Sequence, residues 1–325
     1  WLDSPQRFFL TAKPSATKPS SALIMIFKTA SALLLCASAL LPAGVNAHPE
    51  VRKTSGCGLT YDFAGESREV TFKSGGRDRT YRFHLPSNYD PQKAYPVVMA
   101  FHGRTGTPAG FETGTGFSNE KAYPNIIAAY PAGVNKSWEG PSYAVPGVSD
   151  LQFVTDLVNR MKSKFCLDEA RIYATGHSNG GGFVNTLACS NEHGKHFAAF
   201  AGAASALYTD LTGDTNCNPY KSPLPILESH GTADTTVPYN GGNGAGGKLP
   251  AIPEWLSRWV KRNKCVDPVT TKLADGITEQ SWTCGGIKGL QRHIKYEGLN
   301  HDYPGGSSKV PISPRIMAFF NDHKK

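Results

Sequence analysis

One serine lies between two glycines in a setting that suits a nucleophile. The segment TGHSNG at residues 175–180 places Ser178 at the centre of a Gly-x-Ser-x-Gly pattern. A strand is predicted directly before it and a helix directly after it, which is the context of a sharp turn that exposes the serine hydroxyl. The sequence therefore predicts that Ser178 attacks a carbonyl carbon and forms a covalent acyl intermediate.

The carboxylate of such a site is expected on a loop that follows a strand. A serine hydroxyl needs a base, and the base needs an acid that orients it. Asp234 lies just past the strand predicted over residues 225–230, whereas Glu228 lies inside that strand. We therefore predict Asp234 as the acid, with a loop-capping function as the alternative.

The base is expected shortly before the final helix. His301 lies in a loop between a late strand and that helix, while His293 lies in the strand and His323 in the tail. The order serine, aspartate, histidine along the chain is the one found in α/β-hydrolases. We predict Ser178, Asp234 and His301 as a catalytic triad, and a solvated loop histidine is the alternative for His301.

Two backbone N–H groups must stabilise the oxyanion that such an attack creates. Asn179 follows the nucleophile at the start of the predicted helix and is expected to supply one of them. The second donor is expected from the loop FHGRTGT at residues 101–107, which follows a continuous apolar strand. We predict Arg104 or Thr105 as this donor and favour Arg104.

Strands and helices alternate along the chain that must position these residues. An antiparallel hairpin is predicted around residues 74–76, and the apolar run at residues 96–101 is typical of a strand buried on both faces. Ser149 and Gln152 are spaced as a capping box at the start of a helix. The alternation predicts an α/β-hydrolase fold, with a mostly parallel central sheet, helices on both faces and an N-terminal antiparallel hairpin.

The first methionine, Met25, opens a segment typical of export. A basic residue, an apolar run too short to span a bilayer and small residues up to Ala47 form the pattern of a secretory signal peptide. An N-terminal membrane anchor is the alternative, which the length of the run disfavours. We predict an extraneous leader over residues 1–24, a signal peptide over residues 25–47 and one secreted α/β-hydrolase domain over residues 48–325.

Six cysteines follow the predicted signal peptide, an even number that is typical of disulfides in an exported chain. They show no CxxC spacing, which disfavours the alternative of a zinc site. Cys265 and Cys284 are expected to pair locally around a loop. The other two expected pairs are Cys189–Cys217 and Cys57–Cys166.

The charges are scattered along the chain. A net charge of +8 comes without the concentrated basic stripe that nucleic-acid binding requires. We expect a monomer with no nucleic-acid or membrane partner, and no metal or cofactor is needed for the chemistry above. Asn135 begins an Asn-Lys-Ser sequon, which predicts a glycosylated surface loop.

Several motifs together resemble carbohydrate esterase family 1. They are ARIYATGHSNGG at residues 170–181, HGTAD at residues 230–234, His102-Gly103 after a buried strand, and Asn300-His301. Within this family the chain is similar to fungal feruloyl esterases (types B and D) that carry no carbohydrate-binding module. Polyhydroxybutyrate depolymerase-like proteins are more distant relatives. The resemblance covers nearly all of residues 48–325.

The resemblance implies hydrolysis of the ester that joins ferulate, or a related hydroxycinnamate, to arabinose on arabinoxylan or pectin. It carries over the triad proposed above. Trp138 lies on a loop after a strand, where α/β proteins bind ligands, and its ring is expected to hold the flat phenolic acyl group. Packing under the loop is the alternative for Trp138. Val237 and Tyr239 follow the acid loop and are expected to shape the same pocket.

Other functions stay open at this point. An acetyl xylan esterase would use the same triad with a smaller acyl pocket, and a polyester depolymerase is a further enzymatic alternative. A non-catalytic polysaccharide-binding protein that kept the fold belongs to a different class, and the intact triad argues against it.

Overall fold

We describe a computed structural model of the protein for residues 53–212 and 216–325. The predicted leader (residues 1–24) and the predicted signal peptide (residues 25–47) lie outside the described residues. Within the described ranges, no helix combines the length and the apolar character that crossing a membrane demands.

The strands of the described residues are β1 (Ser67–Ser74), β2 (Arg77–His84), β3 (Tyr95–Phe101), β4 (Ile127–Pro131), β5 (Leu167–His177), β6 (Ala199–Ala203), β7 (Ile226–Gly231), β8 (Gly242–Gly244), β9 (Gly247–Leu249), β10 (Cys265–Ala274), β11 (Ile277–Cys284) and β12 (Ile287–Tyr296). The helices are α1 (Pro108–Thr115), α2 (Asp150–Lys164), α3 (Asn179–Ala188), α4 (Asn191–Gly194), α5 (Ile252–Arg262) and α6 (Ile312–Asn321), and a 3₁₀ turn spans Val134–Lys136.

The large sheet has a parallel centre and antiparallel edges. Its strand order is β1-β2-β4-β3-β5-β6-β7-β12-β11-β10, while β8 and β9 form a separate hairpin. The strands from β4 to β12 in this order run parallel, and the β1–β2 hairpin lies at one edge. The predicted α/β-hydrolase fold, with its mostly parallel sheet and N-terminal hairpin, is confirmed.

Strand β3 shows why the centre of the sheet is apolar throughout. Val97, Met99 and Phe101 join the core on the face that α2, α3 and α5 cover. Val98 and Ala100 point the other way, into the core under α1 and α6. Because alternate residues of a strand face opposite sides, a strand covered on both sides has no polar face.

Helix α2 begins at a serine cap, as the sequence predicts. Ser149 Oγ accepts a hydrogen bond from the backbone N–H of Gln152 at 3.2 Å. The Gln152 side chain does not reach back to Ser149; its Nε2 donates to Asp156 Oδ1 at 2.8 Å. One half of the expected capping box is therefore formed.

The sequence did not predict the antiparallel extension that β10 and β11 add beside β12. Most of β10 is exposed, including Val266 and Val269, so no alternation of apolar and polar residues indicates a strand. Cys265 and Cys284 face each other across this β10–β11 hairpin and form a disulfide. The pairing is confirmed, but the expected connecting loop is a pair of strands.

The other two disulfides also join the predicted partners. Cys57–Cys166 ties the segment before β1 to the junction between α2 and β5, across 109 residues of sequence. Cys189–Cys217 fixes the end of α3. Cross-links of this kind lower the conformational entropy of the unfolded chain, and closing the longer loop has the larger effect.

A buried ion pair anchors the start of α2 to the N-terminal hairpin. Arg79 Nη2 lies 2.6 Å from Asp150 Oδ1, and both side chains are almost fully buried. The same guanidinium lies over the Phe153 ring, and the other Asp150 oxygen accepts from the Glu139 backbone N–H at 2.7 Å. The pair therefore holds the loop that contains Glu139 against α2.

Replacing Arg79 with methionine is expected to lower the free energy of unfolding by about 3–5 kcal/mol, because it leaves Asp150 buried without its partner. Arg77→Met, at the exposed start of the same strand, is the matched control and is expected to change it by less than about 0.5 kcal/mol. Urea denaturation measures both, and equal stabilities for the two variants would contradict this assignment.

Candidate active site

Ser178 lies on a strained turn between β5 and α3. Its backbone angles are φ 57° and ψ −120°, a conformation with positive φ that favours glycine. The Ser178 N–H donates to Ala203 O at 2.9 Å, and its carbonyl accepts from the N–H groups of Gly182 and Ala206, also at 2.9 Å. These three backbone bonds hold the strained residue in place.

Two glycines allow the turn to be this tight. A Cβ atom at Gly180 would overlap the carbonyl oxygen of Phe101, at the end of β3. A Cβ atom at Gly176 would overlap the carbonyl oxygen of Gly180. Because neither residue has a side chain, α3 starts directly above the parallel strands. The Ser178 hydroxyl makes no capping bond to α3 and is free to contact another side chain.

The structure brings the three predicted triad residues together. Ser178 Oγ lies 2.8 Å from His301 Nε2, and His301 Nδ1 lies 2.7 Å from Asp234 Oδ2. A carboxylate only accepts hydrogen bonds, so the neutral ring carries its proton on Nδ1 and accepts the serine O–H at Nε2. The Asp234 side chain is fully buried and the His301 side chain is 16 % exposed.

Asp234 is held as a carboxylate by its hydrogen bonds. Burial alone would raise its pKa, but bonds from His230 and His301 lower the pKa below its usual value. Its Oδ1 also accepts from the backbone N–H groups of Thr236 and Val237, both at 2.8 Å. The loop after β7 therefore fixes both the position and the charge of this acid.

A second histidine, which the sequence did not single out, touches the same acid. The fully buried His230 places Nε2 2.9 Å from Val237 O and 3.3 Å from Asp234 Oδ2. Its Nδ1 lies 3.1 Å from Glu228 Oε1. Burial lowers the pKa of His230, but the bonds to Asp234 and Glu228 outweigh burial and raise it to about 9. The only sequence signal for His230 was its place in the HGTAD motif.

A third histidine packs beside the base without a charge. The His177 ring centroid lies 5.1 Å from that of His301. Burial, together with the neighbouring His301, lowers the pKa of His177 to about 3. His177 is therefore neutral at physiological pH and adds no competing positive charge next to His301.

The loop after β3 lies against the nucleophile, as predicted for the oxyanion site. A Cβ atom at Gly103 would lie 3.2 Å from Ser178 Cβ. The N–H of Thr105 donates to Lys136 O at 2.9 Å, so Thr105 is not free to bind an oxyanion and this alternative is corrected. Within residues 53–212 and 216–325, the backbone N–H groups of Arg104 and Asn179 have no protein acceptor.

The predicted acyl-binding function of Trp138 is wrong, because its side chain is fully buried. Its indole N–H donates to His102 O at 2.8 Å, and its ring stacks on Phe183 with centroids 5.2 Å apart. The Asn179 amide accepts from the Trp138 backbone N–H at 2.7 Å and donates to its carbonyl at 3.3 Å. Trp138 thus packs behind the loop and braces the two candidate oxyanion donors.

Neither Val237 nor Tyr239 presents a surface to the nucleophile. The Val237 side chain is 2 % exposed and packs with Ala206 and Leu249. The Tyr239 hydroxyl lies 3.0 Å from His293 Nε2. Its ring lines a cavity of about 480 Å³ between α5 and the β10–β12 strands, and no triad residue lines that cavity. The expected contribution of both residues to the acyl pocket is therefore corrected.

Two tyrosines that the sequence did not indicate lie beside the oxyanion loop, and we call them the aromatic rim. The Arg104 guanidinium lies over the Tyr143 ring, 4.3 Å from its centroid. Tyr143 meets Tyr208 edge to face, with centroids 6.1 Å apart. The Tyr208 hydroxyl accepts from the Gly246 N–H at 3.1 Å. The rim thus connects the oxyanion loop to the β8–β9 hairpin.

Asn135, the sequon residue, is exposed in the 3₁₀ turn with a positive φ of 48°. Asparagine tolerates this conformation better than most residues. The side chain is therefore accessible, as a surface sequon requires.

The chain matches the model of the Esterase family, described as "Putative esterase", over residues 73–270. The match covers more than half of the chain, from the N-terminal hairpin to the strand after α5. With the fold and the site geometry above, it defines the class of protein: the chain belongs to this esterase family and is a carboxylic ester hydrolase of the α/β-hydrolase type.

Fungal esterases are among its curated relatives. "Feruloyl esterase B" of Piromyces equi is 29% identical over 215 residues, which are 63% of this chain and 39% of that longer protein. "Probable feruloyl esterase C" of Aspergillus clavatus is 30% identical over 284 residues, 86% of this chain and 90% of the relative. The solved acetyl xylan esterase from Aspergillus awamori superposes with a TM-score of 0.60 at 17% identity, over 79% of this chain and 99% of that one, and shows the shared fold.

The raised pKa of His230 predicts how stability changes with pH. A histidine whose pKa is raised on folding stabilises fully below its unfolded pKa of about 6.5, and the contribution is lost as the pH rises through about 9. Between these values the free energy of unfolding of the wild type is expected to fall by more than about 1 kcal/mol relative to His230→Gln. Denaturant titrations across this range measure the difference, and parallel curves would refute it.

Proposed function

We propose that the protein is a secreted feruloyl esterase that hydrolyses hydroxycinnamoyl esters of plant cell-wall polysaccharide, such as feruloylated arabinoxylan or pectin. The products are ferulate and the free polysaccharide hydroxyl. The observation that carries the catalytic part is the hydrogen-bonded series Ser178–His301–Asp234 on the strained turn. The names of the fungal relatives support the feruloyl substrate.

In the first step, His301 Nε2 takes the proton from Ser178 as Oγ attacks the ester carbonyl carbon. Asp234 stabilises the imidazolium that forms. The carbonyl oxygen, which now carries the negative charge, accepts hydrogen bonds from the backbone N–H groups of Asn179 and Arg104. The start of α3 adds the positive end of a helix dipole at the same point.

In the second step, His301 gives its proton to the sugar oxygen, the bond between that oxygen and the acyl carbon breaks, and the sugar leaves with a free hydroxyl. A water molecule then attacks the acyl-enzyme carbonyl carbon while His301 Nε2 accepts its proton. Collapse of the second tetrahedral intermediate releases ferulate, and the proton on His301 passes back to Ser178. The His301 imidazole therefore carries both protons: the serine proton to the sugar oxygen, and the water proton to Ser178.

We infer that the aromatic rim, not Trp138, faces the phenolic ring of the acyl group. Tyr143 and Tyr208 are partly exposed, whereas Trp138 is fully buried. Arg104 contacts Tyr143 and follows the glycine that lies against Ser178. Flat aromatic groups pack on tyrosine rings with about 0.5–1.5 kcal/mol beyond area burial.

An extracellular location is supported by three disulfides, since such bonds persist in oxidising compartments. The predicted signal peptide and the exposed Asn135 sequon agree with secretion and N-glycosylation. We propose a monomer.

Ser178→Ala is expected to lower kcat for methyl ferulate by at least about 10⁴-fold, because the acyl-enzyme cannot form. Ser257→Ala, an exposed serine on α5, is the matched control and is expected to keep wild-type activity. A fluorophosphonate probe is expected to label the wild type and Ser257→Ala, but not Ser178→Ala. Full turnover by Ser178→Ala would exclude the proposed nucleophile.

Substrate choice is tested with methyl hydroxycinnamates against naphthyl acetate. We expect a higher kcat/KM for methyl ferulate, and Tyr143→Leu is expected to reduce it by about threefold to tenfold while the acetate changes less. Tyr143→Phe keeps the aromatic face and is expected to retain activity. A preference for the acetyl ester would instead support the second candidate function, an acetyl xylan esterase. The burial of Trp138 favours this candidate.

A further inference from the structure

We propose that His230 is a positioning residue: as an imidazolium fixed between the buried carboxylates of Glu228 and Asp234, it holds the acid of the triad ionised and in place. The inference rests on the proposed function of Asp234. It extends the three-residue site to a series of five groups, Glu228, His230, Asp234, His301 and Ser178, of which the first three are buried.

The hydrogen-bond partners of His230 determine its protonation. Nε2 lies 2.9 Å from the carbonyl oxygen of Val237, which accepts and cannot donate, so Nε2 carries a proton. The same N–H is 3.3 Å from Asp234 Oδ2. Nδ1 faces Glu228 Oε1 at 3.1 Å. Both ring nitrogens therefore face acceptors, which is the environment of a doubly protonated ring.

Glu228 is arranged as a carboxylate. Its Oε1 accepts from the Ser205 N–H at 3.0 Å, and its Oε2 accepts from the Ser205 hydroxyl at 2.6 Å. Both oxygens therefore already accept from Ser205, on a side chain that is about 1 % exposed, before His230 Nδ1 is considered. A Cβ atom at Gly202 would overlap both Glu228 Oε2 and Ser205 Oγ, so the sheet leaves room for this contact. Glu228 therefore presents an accepting oxygen to His230 Nδ1.

The other titratable groups around His230 are neutral. His293 on β12 lies within hydrogen-bond distance of Glu228 O and of the Tyr239 hydroxyl, and burial lowers its pKa to about 3. His177 on β5 has a pKa of about 3 for the same reason. The Tyr239 ring lies 5.9 Å from the His230 ring, and burial raises the pKa of Tyr239. His230 is thus the cation that balances a buried carboxylate here.

The positive charge of His230 also acts on His301, the base of the triad. Asp234 Oδ2 is shared between His230 Nε2 and His301 Nδ1. A cation on one side of the carboxylate weakens its attraction for a second cation on the other side. The charge of His230 therefore acts on the base through the Asp234 oxygen that both histidines contact.

The Glu228–His230 pair is also connected to the nucleophile, through Ser205 and Ala206. Ser205, which donates twice to Glu228, precedes Ala206, and the Ala206 N–H donates to the Ser178 carbonyl at 2.9 Å. The Glu228–His230 pair therefore contacts the supports of both Asp234 and Ser178. Loss of either charge is expected to disturb catalysis more than substrate binding.

The charge of His230 is measured first, on the wild-type enzyme labelled with ¹⁵N-histidine. Among its histidines, one ring is expected to keep protons on both nitrogens in ¹H–¹⁵N NMR spectra up to pH about 8, well above the ordinary histidine pKa of about 6.5. This signal is expected to disappear in His230→Gln. The absence of any doubly protonated ring at pH about 8 in the wild type would overturn the proposal without reference to activity.

Kinetics then separate a positioning function from a purely structural one. His230→Gln is expected to lower kcat by about tenfold to a hundredfold with KM changed less than about twofold, and to move the acid limb of kcat/KM to higher pH. His293→Gln, an equally buried neighbour that does not touch Asp234, is expected to leave the acid limb in place. An unmoved acid limb in a folded His230→Gln would overturn the proposal.

Glu228→Gln provides a second test if His230→Gln does not fold. It keeps the shape but removes the charge: the amide oxygen can still accept from the Ser205 N–H, while the amide NH2 must donate to the Ser205 hydroxyl, which then accepts. The doubly protonated ring is therefore expected to lose a proton at lower pH than in the wild type. The double variant Glu228→Gln/His230→Gln is expected to be more stable than His230→Gln alone, because no unpaired charge is left buried. An unchanged titration in Glu228→Gln would contradict the proposed pair. Activity retained in Ser178→Ala would instead refute the proposed function alone.

Discussion

The strained backbone of Ser178 is the constraint on which the rest of the site depends. A residue with positive φ persists only where its surroundings over-determine it. Here β5 delivers the chain, the Gly182 and Ala206 N–H groups hold the serine carbonyl, and Ala203 holds its N–H. Gly180 lets α3 approach the end of β3. The parallel sheet therefore stores this strain at its carboxyl edge, where the serine hydroxyl meets His301.

The second constraint is that charge must be buried next to this turn. A lone buried carboxylate would be costly, and it would tend to take up a proton instead. Asp234 avoids this through two backbone N–H groups and two imidazoles. Glu228 is satisfied by Ser205 and His230 in the same way. Charges that would each be unfavourable alone form one compensated group that spans β7 and the loops on either side.

Aromatic packing explains why the oxyanion loop has a defined position. Trp138 lies between the loop after β3 and α3, with its indole N–H on His102 and its backbone on the Asn179 amide. A tryptophan on a loop at the carboxyl edge of a sheet is an attractive candidate for ligand stacking, and the sequence offers no way to see that Phe183 covers its face. The ring stabilises the site from behind, while the tyrosines of the aromatic rim occupy the accessible side.

The sequence by itself determined the features that depend on near neighbours: the Gly-x-Ser-x-Gly turn, the alternation of buried strands and helices, the caps, and the order of Ser178, Asp234 and His301. It also led to the expected disulfide pairs, of which only Cys265–Cys284 follows from proximity in sequence; the other two pairs, among fifteen possible connectivities, needed the structure to choose them. The tertiary structure alone decided that the Thr105 N–H bonds Lys136, that Trp138 points inward, that residues 265–284 form strands, and that His230 joins two carboxylates. These outcomes follow from contacts between residues far apart in sequence or from which face of a loop is covered. Local composition and periodicity carry no information on either.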